Sequence, residues 1–222
     1  MKKNQALAVL LPFVLFVGSC MGMSMDIQMN RDGSGRVVME YRYSSILEDL
    51  GALDGNESAL FLPVSMEDWK KTVERIPGLK LVSHSLKAEK KDTVVNITLD
   101  FENEKALASL LDPTGMLTSV ERKDNHGTLQ IIVLDELSKL IDEDIDNEEA
   151  LALAAFFMDG YNFSASFSAP GNSVLSFVDG KGETVSAIAE AQTVLTGKKV
   201  SFSIGMSDIL NYKNGLGLKF IW

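Results

Sequence analysis

Few side chains in this sequence stand at a spacing that chemistry needs. There are two histidines, His84 and His126. Neither has a second His or a Cys at metal-ligand spacing, and no Gly-x-Ser-x-Gly elbow offers a nucleophile. Chain order alone leaves a Ser–His–Asp arrangement open. Gly197-Lys198-Lys199 ends like a phosphate loop, but Gln192 stands where its first glycine belongs and Lys199 where Ser or Thr belongs. The acidic run from Asp142 to Glu149 places Asp142, Asp144 and Asp146 at positions 1, 3 and 5 of a calcium loop, yet Asn147 and Leu153 replace the required Gly and bidentate Glu. The same run suits the N-terminus of a helix capped by Asp146 or Asn147. Met21, Met23 and Met25 are soft thioether donors at alternate positions, which suits copper(I). They equally suit the buried face of a strand. No catalytic residue, resident metal or cofactor follows from these patterns.

The one residue with a defined chemistry is Cys20, the only cysteine. Lys2 and Lys3 precede an apolar run from Ala6 to Val17, too short to cross a bilayer as a helix, and Val17-Gly18-Ser19 leads into the thiol. This order resembles the signal peptide and lipobox of bacterial lipoproteins. The resemblance implies cleavage after Ser19, acylation of Cys20, and anchoring on the periplasmic or cell-surface side of a bacterial membrane. More than one acyl chain makes such an anchor stable.

Loss of residues 1–19 removes two of the 21 basic residues and none of the 31 acidic ones, so the mature chain carries −12. That charge disfavours nucleic acid and anionic headgroups alike. With Cys20 lipidated no thiol remains for disulfides, zinc or catalysis. The 45% of hydrophobic residues is enough to build one core over about 200 positions.

Around these residues the chain alternates hairpins with helices. Met23, Met25, Ile27 and Met29 alternate with polar residues, Arg31 to Gly35 turns, and Val37, Met39, Tyr41 and Tyr43 return. Helical spacing follows over 44–53 and from Ser65, where Asp68 stands at capping-box distance. Strands are expected over 79–88 and 93–101, a helix over 103–111, strands over 116–122 and 128–134, and helices over 136–141 and 147–158. Strands over 161–167 and 174–178 come next. Thr184 to Leu195 reads as strand or helix, Val200 to Gly205 as a strand, and 209–222 as a last hairpin about Asn214-Gly215. The expected fold class is α+β, with antiparallel β hairpins and short helices packed on one face of the sheet. The expected divisions are a signal peptide (1–19), a lipidated tether (20–23) and a single domain (24–222).

Three features together resemble the LppM-type bacterial lipoprotein domain family over roughly 24–205: the lipobox followed at once by a strand, the Asp32-Gly33-Ser34-Gly35 turn, and the late Phe163-to-Asn172 stretch with its Pro170-Gly171. Ala169 stands where that family usually has Phe. The Met-rich, acidic character is also similar to spirochaetal lipoproteins. The resemblance implies an α+β envelope lipoprotein that handles lipids or envelope components, and it brings no catalytic residues.

The leading expectation is therefore a non-enzymatic, membrane-anchored lipoprotein that binds a lipid or other apolar envelope ligand. Trp69, Val73, Phe101, Leu107, Phe156, Phe157 and Phe163 are its candidate lining, a set that a dry core would also use. The alternative is a scaffold holding a protein partner at the membrane, with the terminal strand Leu216 to Trp222 as the first apolar patch to inspect. A hydrolase with a non-standard site comes third.

Overall fold

Period-2 alternation dominates this chain, and strands dominate the fold it builds. The computed structural model describes residues 21–44, 63–124, 126–134, 152, 155–156, 158–186, 188 and 190–222. The strands are β1 (Met21–Met29), β2 (Gly35–Ser44), β3 (Leu79–Glu89), β4 (Asp92–Phe101), β5 (Thr118–Lys123), β6 (His126–Leu134), β7 (Asn162–Ser168), β8 (Val174–Val178), β9 (Thr184–Val185), β10 (Gln192–Thr196), β11 (Lys199–Gly205) and β12 (Leu216–Ile221). The helices are α1 (Met66–Arg75), α2 (Glu104–Leu111) and the short α3 (Met206–Ile209).

The strands form a seven-stranded sheet in the order β10-β11-β7-β1-β2-β4-β3 and a five-stranded sheet in the order β5-β6-β12-β8-β9. Local sequence sets the hairpins. Gly33, at φ +87°, turns β1 into β2, and the two strands pair from Met21↔Tyr43 to Met29↔Gly35. β3 pairs with β4, and β5 with β6, as the alternation predicts.

Helix α1 starts at a capping box: Ser65 Oγ accepts from Asp68 N at 3.1 Å, and the Asp68 carboxylate accepts from Ser65 N at 3.3 Å. Asn103 Oδ1 caps α2 by accepting from Ala106 N at 3.0 Å. Helix α1 buries Trp69, and α2 buries Ala106 and Leu107. Among the described residues no helix is long and apolar enough to cross a membrane.

The two sheets meet through aromatic rings. Phe167 of β7 stands 5.3 Å from Phe220 and 5.0 Å from Trp222, and Phe202 of β11 stands 5.5 Å from Phe177 of β8. The core thus holds one half of β1, β2, β4, β7 and β11 together with β12, whose Leu216, Leu218 and Phe220 are fully buried.

Three expectations change. The sheet does not consist of antiparallel hairpins alone: β1 and β7 pair in parallel, Met23↔Phe163 to Gln28↔Ser168. A second sheet takes much of the apolar face that helices were expected to cover. The 209–222 hairpin is absent, because β12 lies between β6 and β8 and pairs antiparallel to both. Its apolar stripe, the patch to inspect for a partner, is central core. The expected helices over 44–53 and 136–141 and the acidic run 142–149 lie outside the described residues, as does most of 147–158.

Candidate functional site on the open face of the larger sheet

The half of each strand that alternates away from the core is mostly polar, with Val38 and Val194 among the exceptions, and the sheet order sets these halves side by side. Cross-strand register builds one row from Asn96, Glu40, Ser24, Ser164, Ser203 and Gln192. The next row runs Thr98, Val38, Asp26, Ser166, Ser201 and Val194. All of these but Thr98 line an open groove of about 420 Å³ from β4 to β10. The parallel β1–β7 pairing makes it: without it, Ser24 and Asp26 would not neighbour Ser164 and Ser166.

Asp26 organises the groove. Its Oδ1 accepts from Ser166 Oγ at 2.7 Å and lies 3.0 Å from Lys199 Nζ, while its Oδ2 accepts from Gln28 Nε2 at 3.1 Å. Burial pushes its pKa up, but the hydrogen bonds from Ser166, Lys199 and Gln28 outweigh burial and hold the carboxyl below its ordinary value. It is therefore a carboxylate at neutral pH, with Lys199 as its counter-charge. The Ser164 and Ser203 hydroxyls pair at 2.8 Å. The arrangement offers hydroxyl donors and acceptors around two carboxylates, each with a counter-charge: Asp26 with Lys199 and Glu40 with Arg42, at 3.2 Å. Neither histidine lines it: His84 Nε2 contacts the Val64 carbonyl at 2.9 Å, and His126 opens β6. This is hydrogen-bonding chemistry for a neutral polar group.

A second cleft, of about 430 Å³, is lined by Arg31 and Asn172 from loops, Arg122 and His126 from the ends of β5 and β6, and Trp222. Arg122 is committed there, with Nε 2.7 Å from Glu104 Oε1 and its Nη1 donating to the Arg31 carbonyl at 2.7 Å.

The residues expected to line an apolar site fall in different places. Trp69, Phe101, Leu107 and Phe163 belong to the buried core, and Val73 packs against it partly buried. Phe156 is 75% exposed and so is not part of that core. Phe157 and Cys20 lie outside the described residues. The groove residues Asp26, Ser164, Ser166, Ser201 and Ser203 were not among the sequence candidates. Their only signal was the polar half of each alternating strand.

No protein-family model and no curated relative matches the chain. Among solved structures, the NMR structure of the folded domain of LppM from Mycobacterium tuberculosis aligns at a TM-score of 0.40 and 10% identity, over 90% of this chain and 88% of that one. A chimeric titin Z1Z2 carrying an exogenous decorin peptide aligns at 0.13 and 10% identity, over 82% and 78%. At this overlap and identity neither neighbour transfers a site or an activity to this chain.

Proposed function

We propose that this chain is a non-enzymatic bacterial envelope lipoprotein, anchored through acylated Cys20, that binds the polar part of an envelope lipid in the groove on its larger sheet. The observation that carries this is the position of β1. It begins at Met21, the residue after Cys20, and runs between β7 and β2 within the sheet. Residues 21–23 of the expected tether are thus strand, which leaves little slack between the proposed lipid and the fold. At about 3.3 Å per strand residue, Ser24 and Asp26 stand only about 13–20 Å along the chain from the anchor. A groove so close to the acyl chains meets headgroups before any other ligand. Its hydroxyls suit a neutral polar headgroup, and the acidic chain repels anionic ones. The buried Trp69, Phe101, Leu107 and Phe163 admit an acyl chain only by leaving their packing, so the tail stays in the bilayer in this reading.

The test has two parts. A full chain carrying Cys20→Ser is expected to leave the detergent phase on phase separation; retention there would overturn the anchoring. The full wild-type chain, purified in detergent and examined by native mass spectrometry, is expected to carry an envelope lipid that a Ser164→Leu, Ser203→Leu double variant loses. Repeated absence of co-purified lipid would overturn the ligand.

A further inference from the structure

The four outer edges of the two sheets are not alike. β3 ends the larger sheet with a register shift between Leu81 and Ser83 and with Lys80, Lys87 and Glu89 along it. β5 is half charged and β9 has two residues. Lysines, bulges and short length are devices that stop an edge from pairing with another chain. β10, the other end of the larger sheet, has none of the three. It reads Gln-Thr-Val-Leu-Thr, pairs with β11 without a shift, and every residue in it is exposed, Val194 at 56% and Leu195 at 66%.

The backbone fixes what this edge can accept. Gly197 and Lys198 form a two-residue turn, with Gly197 at φ +61°. Thr196 and Lys199 are then a mutually hydrogen-bonded pair. Alternation makes Val194 and Gln192 bond inward to β11 as well, and leaves the N–H and C=O of Thr193 and Leu195 pointing out.

We propose that β10 is a homodimer edge, pairing antiparallel with β10 of a second copy about a two-fold axis at Val194. In that register Thr193 and Leu195 of one copy meet Leu195 and Thr193 of the other, so the outward groups of both satisfy each other. Val194 faces Val194, and Gln192 faces Thr196. Beyond the strand ends, the turn holding Glu190 of each copy comes to the same side as the turn holding Lys198 of the other, so opposite charges flank the pairing at both ends. Neither charge has an ion-pair partner among the described residues. Glu190 accepts from the neutral Tyr212 hydroxyl, at 2.5 Å, and Lys198 Nζ donates to the Pro170 carbonyl at 2.6 Å. A register centred on Thr193 would oppose Leu195 to Ala191, and one centred on Leu195 would oppose Thr193 to Gly197, in each case outside the strand. The pairing also makes the site larger. Gln192 and Val194 rim the groove, so the two grooves join across the Val194 pair at the axis into one continuous surface. A five-residue edge falls short of the roughly 1,200 Å² that a stable dimer in solution buries, so the pairing is weak for free chains and strengthened where chains are concentrated.

The register gives a direct test in the full chain. Opposed residues of a non-hydrogen-bonded pair lie about 4.5 Å apart at Cα, inside disulfide reach. Val194→Cys is expected to cross-link to a dimer under mild oxidation about tenfold more than Leu86→Cys, an exposed position on the β3 edge. Co-expressed Gln192→Cys and Thr196→Cys chains are expected to cross-link to each other. Adding Thr193→Pro removes an outward N–H without touching the β10–β11 bonds, and is expected to abolish the Val194→Cys dimer while leaving the thermal midpoint in place. Glu190→Lys is expected to weaken the dimer and Lys198→Glu in the same chain to restore it. Equal cross-linking at positions 194 and 86, a monomeric Val194→Cys chain, or dimers that survive Thr193→Pro would each overturn the proposal. The wild-type chain shows whether Cys20 contributes, and the readout does not depend on whether a lipid occupies the groove.

Discussion

The indole Nε1 of Trp69 donates to the hydroxyl of Tyr41 at 3.2 Å, and that hydroxyl donates in turn to the carbonyl of Pro63. One side chain of β2 thus ties α1 and the segment leading into it to the core of the larger sheet. Tyr41→Phe leaves a buried indole N–H without its acceptor and is expected to cost about 1–3 kcal/mol in chemical denaturation. Burial raises the Tyr41 pKa well above its ordinary value. The unfolded chain therefore loses this proton first. The contribution is whole below about pH 10, where free tyrosine titrates, and is lost as pH rises above it. The variant is expected to flatten the alkaline limb of the stability profile.

Asp112 behaves in the opposite sense. Its carboxylate accepts from the backbone N–H groups of Thr114, Leu117 and Thr118, closing the link from α2 to β5. Burial pushes its pKa up, but the hydrogen bonds from Thr114, Leu117 and Thr118 prevail and lower it. Its contribution is present above about pH 4 and is lost as pH falls through the lower folded value. Asp112→Ala is expected to cost about 2–3 kcal/mol at neutral pH and less in acid, measured by denaturant titration at both.

Gly127 stands against the Trp222 ring, where a Cβ would overlap the indole and lie 2.8 Å from the Glu121 carbonyl. The two residues also exchange backbone hydrogen bonds, at 2.9 and 3.1 Å. Gly127→Ala is expected to displace the indole from Phe167 and cost about 1–3 kcal/mol. A lowered thermal midpoint together with a changed near-UV signal checks this; a lowered midpoint with an unchanged aromatic signal would place the damage elsewhere.

In the groove, Asp26→Asn and Lys199→Met each break the same ion pair. Both side chains are partly exposed, so a double-mutant cycle is expected to return a coupling of only about 0.5–1 kcal/mol. Their effect on groove occupancy in native mass spectrometry should be larger than their effect on stability. The reverse would mark the pair as structural.

Much of the local fold was legible. Met23 to Met29 and Val37 to Tyr43 carried strict alternation about an Asp-Gly turn, and Ser65 with Asp68 marked the start of α1. The partner of β1 was not legible, because alternation shows which half of a strand is buried and not which strand lies beside it. Nothing near Ile27 points to Phe167. For the same reason β12 read as half of a hairpin: Asn214-Gly215 is a strong turn signal, but Gly215, at φ +86°, turns the chain from α3 into a strand that inserts between β6 and β8. The groove was invisible for a third version of this reason. Ser24, Ser164 and Ser203 are ordinary outward residues until the sheet order puts them in one row.

The parallel pairing of β1 with β7 also orders events in time. Asp26 and Ser166 are 140 positions apart, so on the proposed export route the first strand to emerge cannot be enclosed until the last third of the chain has followed it. Pairings this distant form slowly. On that route the wait would leave the proposed modification site open to the enzymes that cleave and acylate. A chain whose first strand closed only with its immediate neighbour would fold its modification site against the sheet much sooner. Late enclosure would therefore let β1 follow directly on the proposed attachment point and still lie in the middle of the sheet.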